Sequence, residues 1–89
     1  MLEKQVKIIN KLGLHARAAA KFVTLASKFD CDVFLQKDAR KINGKSIMGV
    51  MMLAASQGTE LTLSTSGNDE GKAAEELNTL IEDRFGENE

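Results

Sequence analysis

The apolar residues of this 89-residue chain change their spacing repeatedly, and this alternation constrains the fold more than any other feature. Residues 2–9 alternate apolar and polar side chains, which predicts a half-buried strand with Leu2, Val6 and Ile8 facing inward. Over residues 16–30 the spacing becomes helical. A chain that switches between these two periods is expected to pack helices against a sheet.

The same reasoning divides the rest of the chain into strands and helices. Strands are predicted at residues 31–36, 40–43 and 60–64, a short helix begins after Ser46, and a final helix of about four turns follows the loop at residues 66–69. Ser46 and the last residue of that loop are typical helix caps. The residues predicted to face inward are Ala19, Phe22, Val23, Ala26 and Phe29, then Cys31, Val33 and Leu35, then Ile47, Val50, Met51 and Ala54, then Leu61 and Leu63, and finally Ala73, Leu77, Leu80 and Ile81.

The predicted element order is β-α-β-β-α-β-α, in one domain that spans residues 1–89. Each helix carries a single apolar stripe, so the economical arrangement is one sheet with all helices on one face. The expected fold class is α+β, a two-layer sandwich. Only the last four residues look loose.

Composition argues against several functions. The only cysteine, Cys31, lies in an apolar stretch and is expected to be buried and reduced, since one thiol forms neither an internal disulfide nor a multi-cysteine metal site. Without Trp or Tyr, no aromatic platform for nucleic-acid bases is available. The charged N-terminus is unlike a signal peptide, and no apolar run approaches membrane-spanning length. We expect a soluble, cytoplasmic protein without a metal, a cofactor or membrane insertion.

The net charge of −1 conceals an asymmetry between the two halves of the chain. Residues 1–45 carry ten Lys or Arg against four Asp or Glu, a net charge of +6, whereas residues 46–89 carry two against nine, a net charge of −7. The asymmetry indicates either two solvated faces of opposite sign or a positive surface for an anionic partner. The basic half also contains His15, the only histidine.

His15 stands where a loop becomes a helix. The first N–H groups of a helix have no partner within it and the helix dipole adds positive charge, so this position suits an anion such as phosphate. Arg17 brings a guanidinium whose geometry matches phosphate oxygens, and Gly13 permits a tight turn just before the histidine. The same dipole disfavours an imidazolium, so a neutral, nucleophilic ring is expected. From spacing alone, a capping or surface histidine, a metal ligand and a member of a catalytic triad all remain open.

The run Gly13-Leu14-His15-Ala16-Arg17-Ala18-Ala19-Ala20 resembles the active-site signature of the HPr family, the histidine-containing phosphocarriers of the bacterial sugar phosphotransferase system. The run Lys45-Ser46-Ile47-Met48-Gly49-Val50-Met51 is similar to that family's regulatory-serine region, and the resemblance covers nearly the whole chain. It implies an open-faced sandwich of a four-stranded antiparallel sheet and three helices.

The resemblance also implies a cycle of phosphoryl transfer. Phosphorylated enzyme I donates to Nδ1 of His15, and the phosphohistidine passes the group to a IIA domain of a sugar permease. Arg17 matches the arginine that orients the phosphoryl group. Many members have proline where this chain has Ala18, and we expect the replacement to change rigidity slightly without loss of function. The chain is then a stoichiometric carrier and not an enzyme, and a monomer is expected.

Ser46 matches the serine that a dedicated HPr kinase/phosphorylase modifies with ATP in some members of the family. Capping alone also accounts for a serine at this position. A phosphate at a helix N-terminus is tolerated locally, while its charge would repel acidic partners and oppose phosphorylation of His15.

The short helix after Ser46 carries more apolar residues than it can bury. Ile47 and Met51, or whichever pair faces inward, are expected to pack in the core, and the remainder, including Met48, to form a docking patch. The predicted partner-binding residues are Leu14, Ala16, Ala20, Lys21, Lys45, Ile47, Met48 and Met51, with Arg17, Lys21 and Lys45 supplying positive charge.

Three other functions are compatible with parts of the sequence. A carrier of the nitrogen-related branch would have a similar sequence. A regulatory binding module acting through Ser46 is disfavoured because relatives of that kind lack the histidine. A nucleic-acid-binding α+β domain is disfavoured by the missing aromatics and the acidic final helix.

Overall fold

Four strands form one antiparallel sheet in the computed structural model, which describes residues 1–89. The strands are β1 (Leu2–Lys7), β2 (Asp32–Lys37), β3 (Arg40–Asn43) and β4 (Glu60–Ser66), and their order in the sheet is β1-β4-β2-β3. The N-terminal strand and the strand nearest the C-terminus therefore lie side by side, as in the pairing of Val6 with Leu61.

Three helices complete the fold: α1 (Ala16–Ala26), α2 (Ile47–Met52) and α3 (Glu70–Glu82), with a single 3-10 turn at Arg84–Gly86 after α3. The order confirms the predicted β-α-β-β-α-β-α arrangement, and the open-faced α+β fold is confirmed with it. None of the helices combines the length and the apolar character that a membrane crossing requires.

The hydrophobic core lies between the helices and one face of the sheet. Alternate residues of the central strands point into it, because successive side chains of a strand face opposite ways. The predicted inward positions that are buried are Ala19, Phe22, Ala26, Phe29, Cys31, Val33, Leu35, Val50, Leu61, Leu63, Ala73, Leu77 and Ile81, together with Val6 and Ile8. Val23 and Leu80 pack against the core while partly exposed. Phe85 of the 3-10 turn is 1% exposed, so the segment after α3 also contributes to the core.

Two predictions about the first strand and the first helix are wrong in detail. Leu2 is 42% exposed, at the first position of the edge strand β1. The helix α1 ends at Ala26 and not near Asp30. Phe29 still reaches the core, through a turn in which its amide donates to the Ala26 carbonyl.

The inward face of α2 also differs from the prediction. Val50 and Leu53 are buried, whereas Ile47 and Met51 are 41% and 42% exposed and Ala54 is exposed. A six-residue helix makes fewer than two turns, so it can present only one position per turn to the core. Val50 and the C-cap residue Leu53, three residues apart, occupy the two inward positions.

Candidate functional site

His15 is the N-cap residue of α1, with extended backbone angles (φ −72°, ψ 177°) and no hydrogen bond from its side chain to the helix. Its carbonyl accepts the first helical hydrogen bond, from the Ala19 amide at 2.8 Å. The amides of Ala16, Arg17 and Ala18 thus have no partner within the helix. The imidazole is half-buried at this end, with 29% of the side chain exposed.

The loop before His15 is held in place from within. Asn10 is completely buried, and its side-chain nitrogen donates to the Gly13 carbonyl at 2.8 Å. Gly13 has a positive φ of 68°, and a Cβ there would lie 2.4 Å from the Ala55 carbonyl oxygen. The Leu14 amide donates to that same carbonyl at 2.8 Å. Because the turn is fixed against a second loop, the start of α1 and the His15 ring have a defined position.

The chain's C-terminal tail reaches this site. One carboxylate oxygen of Glu87, Oε2, contacts Nε2 of His15, and the other, Oε1, accepts a hydrogen bond from Nδ2 of Asn10 at 2.9 Å. The hydrogen bond from Asn10 and the contact with His15 lower the pKa of Glu87 below its ordinary value. Only 15% of the Glu87 side chain is exposed.

Two further contacts attach the tail. The Lys11 amide donates to the Glu89 carbonyl at 2.6 Å, and the Lys21 ammonium donates to the Phe85 carbonyl at 2.7 Å. The prediction that the last four residues are loose is therefore wrong. Sequence reasoning missed Glu87, because it lies 72 residues from His15 and stands in a short polar tail without any periodic pattern.

Arg17 lies in the first turn of α1, and its guanidinium makes no hydrogen bond or ion pair with the protein. It lines an open cleft of about 730 Å³ together with His15, Ala16 and Glu87. The His15 ring, the open amides at the start of α1 and an unpaired guanidinium therefore lie at one opening. That combination suits a tetrahedral anion with spread negative charge. No group of three or more His, Cys, Asp or Glu side chains converges in a way that could hold a metal ion.

Ser46 caps α2 as the sequence predicts. Its Oγ accepts a hydrogen bond from the Gly49 amide at 3.1 Å, and the residue is partly exposed. The preceding Lys45 donates from its ammonium to the Phe29 carbonyl at 2.6 Å. The helices α1 and α2 pack against each other, which brings the Ser46 helix beside the His15 helix.

The predicted docking residues separate into two groups. Leu14 is 5% exposed and belongs to the core, because its amide is bonded to Ala55 and its side chain turns inward, so it adds nothing to the surface. Ala16 is exposed and Ala20 is partly exposed. Lys21 and Lys45 direct their ammonium groups to backbone carbonyls, so of the three predicted cations only Arg17 is unpaired.

The apolar surface on α2 is larger than predicted. Ile47, Met48, Met51 and Met52 are all more than 40% exposed, and together they define what we call the methionine patch. The patch includes Ile47 and Met51, which were predicted both to face the core and to bind partners, and it adds Met52, which was not predicted to bind partners. Flexible, polarisable methionine side chains suit contacts with more than one partner.

Comparison with known proteins places this arrangement in context. A family model described as the PTS HPr component phosphorylation site matches residues 2–83. The phosphocarrier protein HPr of Neisseria meningitidis serogroup A is 53% identical over 89 residues, covering the whole of both chains. The crystal structure of HPr-C-His from Thermoanaerobacter tengcongensis matches with a TM-score of 0.96 at 50% identity, again over both complete chains. The solution structure of Crh, the Bacillus subtilis catabolite repression HPr, matches with a TM-score of 0.67 at 50% identity and covers 90% of this chain and 95% of its own.

Proposed function

The chain belongs to the HPr family of the phosphotransferase system, and from this membership we propose that it carries a phosphoryl group on Nδ1 of His15. The donor in this proposal is phosphorylated enzyme I, and the acceptors are IIA domains of sugar permeases. The observation that carries the proposal is the accessible His15 ring at the N-terminus of α1, two residues from an unpaired arginine.

The local electrostatics favour a bound phosphoryl group without trapping it. The open amides at the start of α1 and the helix dipole stabilise negative charge by about 0.3–1 kcal/mol when exposed, and by up to about 2 kcal/mol when partly buried. Arg17 can add a charge-assisted hydrogen bond to a phosphoryl oxygen. Interactions of this size let the group pass on to the next protein.

The transfer step moves one phosphoryl group and leaves the ring proton in place. The Nδ1 lone pair of His15 forms the new N–P bond, while the N–P bond in the donor breaks and its electron pair returns to the donor nitrogen. Handing the group to an acceptor repeats this step with His15 as the leaving group. The unphosphorylated chain is used up when His15 accepts the group and is restored when the group is passed on. It therefore acts as a carrier and does not turn over a substrate by itself.

Phosphorylation by purified enzyme I and phosphoenolpyruvate tests the proposal. We expect one phosphoryl group per chain by intact-mass measurement, lost after mild acid as phosphohistidine requires. The His15→Ala variant should show no acid-labile addition, whereas Ser46→Ala, the matched control at the other candidate site, should be labelled like the wild type. Unchanged labelling of His15→Ala would rule out His15 as the acceptor.

We also propose regulation by phosphorylation of Ser46. Its Oγ lies at the N-terminus of α2, where the amides tolerate a phosphate, and one structural relative is named a catabolite repression HPr. The modifying enzyme in this proposal is an HPr kinase/phosphorylase. Acid-stable phosphate after incubation with ATP and that kinase, absent in Ser46→Ala, is the expected result, and an unmodified wild-type chain would contradict it.

The remaining parts of the proposal concern partners and setting. The methionine patch with Ala16, Ala20 and Arg17 is the proposed docking surface, the carrier acts as a monomer, and its place is the cytoplasm.

A carrier of the nitrogen-related branch is the alternative. Presenting the phosphorylated chain with a sugar-permease IIA domain and a nitrogen-branch IIA domain in competition distinguishes them, and preferential transfer to the nitrogen-branch domain would overturn the sugar assignment.

A further inference from the structure

Each of the two carboxylate oxygens of Glu87 has a partner in the protein. Oε1 accepts a hydrogen bond from the buried Asn10 side chain at 2.9 Å, and Oε2 contacts Nε2 of His15. Asn10 is itself fixed, since it is completely buried and its Nδ2 also donates to the Gly13 carbonyl at 2.8 Å. The same buried side chain therefore supports the histidine loop and the carboxylate that meets the histidine ring.

The charges around this contact favour an ionised carboxylate. Asn10 and His15 lower the pKa of Glu87, and an ionised carboxylate can only accept hydrogen bonds. An imidazole nitrogen that meets such a group must carry a proton, so the proton belongs on Nε2. In the neutral ring the single lone pair then lies on Nδ1.

We propose that Glu87 is a positioning residue for phosphoryl transfer, holding the neutral His15 ring in the tautomer that carries its proton on Nε2 and its nucleophilic lone pair on Nδ1. This inference rests on the proposed carrier function of His15 and adds a group that acts on the histidine through its second nitrogen. A carboxylate that orients an imidazole in this way selects both the tautomer and the direction of the ring.

The same contact assists both directions of transfer. When the Nδ1 lone pair forms the N–P bond, the ring becomes a cation because Nε2 keeps its proton, and the Glu87 carboxylate lies against that positive charge. When the N–P bond breaks toward an acceptor, its electron pair returns to Nδ1 and the ring leaves as neutral imidazole. Without the Nε2 proton, the leaving group would be an imidazolate anion, which is far more basic and leaves more slowly.

Two other contacts hold the tail against the site. Lys11 and Lys21 bond the backbone of Glu89 and Phe85, on either side of Glu87. These two attachments restrict the tail segment that carries Glu87 on both sides of that residue.

The decisive variant is Glu87→Gln, which keeps the size of the side chain and removes its charge. With its oxygen accepting from Asn10 Nδ2, the new amide directs its nitrogen, which can only donate, toward Nε2, so the site no longer requires a proton on Nε2 and instead favours a lone pair there. Glu89→Gln is the matched control, because it makes the same change of charge on the same tail, at a side chain that pairs only with Lys11 and is 70% exposed. Thermal unfolding of both variants verifies that they fold.

Nitrogen-15 NMR of the His15 ring and transfer kinetics then test the inference. In the wild type and Glu89→Gln we expect a single tautomer with the proton on Nε2, and in Glu87→Gln a shift of the proton from Nε2 to Nδ1. Transfer from His15 to a IIA domain should fall about 10-fold in Glu87→Gln, the lower end of the effect seen when a group that orients a metal-ligating histidine is removed.

The possible outcomes separate this inference from the proposed function. Identical ring spectra and rates within about twofold of Glu89→Gln would overturn the role of Glu87 while His15 labelling persists. Failure of the wild type to accept a phosphoryl group would instead contradict the carrier function. In that case the spectra alone would still decide whether Glu87 sets the tautomer.

Discussion

The carboxylate of Asp69, at the start of α3, accepts a hydrogen bond from the backbone amide of Cys31 at 2.9 Å, although the two residues are 38 positions apart. Its second oxygen accepts from the amide of Asp30, also at 2.9 Å. The residue occupies the predicted cap position, yet its side chain bonds the approach to β2 and not the amides of its own helix. The loop before α3 and the turn after α1 are thereby joined.

This contact predicts how stability depends on pH. The hydrogen bond from Asp30, followed by that from Cys31, lowers the pKa of Asp69 in the folded chain below its unfolded value of about 3.9. A lowered pKa means that the carboxylate stabilises the fold fully above the unfolded pKa and loses that contribution as pH falls through it toward the folded pKa.

Urea unfolding between about pH 6 and about pH 2.5 measures that loss. We expect the urea concentration at the unfolding midpoint to decrease once the pH drops below about 4. In Asp69→Asn this decrease should be shallower over the same pH range. Part of the slope should remain in the variant, since Glu70 and Glu87 also have lowered pKa values. An identical slope in Asp69→Asn would show that the two amide hydrogen bonds contribute no pH dependence.

Replacement of Gly13 by alanine should destabilise the chain and displace the loop before His15. At the positive φ of 68° an alanine is strained, and its Cβ would lie 2.4 Å from the Ala55 carbonyl oxygen and 2.9 Å from Ser56 Cα. We expect a loss of about 1–3 kcal/mol in the free energy of unfolding.

Gly71→Ala is the control for that substitution. Gly71 lies in α3 with a helical backbone, and the Cβ that an alanine would add there meets nothing within 4 Å. Alanine should therefore stabilise the fold by about 0.4–1 kcal/mol. Denaturant titration should therefore show a lower free energy of unfolding for Gly13→Ala and a higher one for Gly71→Ala, each relative to the wild type. Equal effects would show that backbone strain at Gly13 is not the cause.

Loss of the Ser46 hydroxyl should weaken the start of α2. Its Oγ accepts from the Gly49 amide, and removal of such a cap costs about 0.5–2 kcal/mol. Ser46→Ala is therefore expected to unfold at lower urea concentration than the wild type. Ser46→Asp, which retains an acceptor and places negative charge at the helix N-terminus, should stay close to the wild type. Equal losses in both variants would contradict a capping role.

The methionine patch should matter for binding and not for folding. Met48 is 69% exposed, so Met48→Ala is expected to change the free energy of unfolding by no more than about 0.5 kcal/mol. Calorimetric titration with a IIA domain should nevertheless show weaker binding, by more than about 1 kcal/mol if Met48 is a central contact.

Val50→Ala is the control for Met48→Ala on the same helix. It is fully buried, so Val50→Ala removes core contacts and should lower the free energy of unfolding by at least about 1 kcal/mol. Its effect on IIA binding should be smaller than that of Met48→Ala at a temperature where both variants are folded. The reverse order of binding losses would place the docking surface elsewhere.

Much of the candidate site follows from short stretches of sequence. The change of period after residue 15 predicts that His15 begins a helix, and the serine before an apolar run predicts the cap that Ser46 makes. Both features depend on residues within a few positions of one another, and the backbone groups left open at a helix start are the same in every helix. Arg17 falls in the first turn for the same reason.

The element order and the helix starts at His15 and Ser46 could be predicted from the order of residues alone, because local period and capping chemistry act over a few positions. The burial of Cys31 follows in the same way from its apolar stretch, and its free thiol from its being the only cysteine. Packing in three dimensions was needed to establish which face of α2 is buried, that Leu14 turns into the core, and that Glu87 meets the His15 ring. Those contacts join distant segments, and they depend on how loops bring the segments together. No local pattern encodes such a meeting.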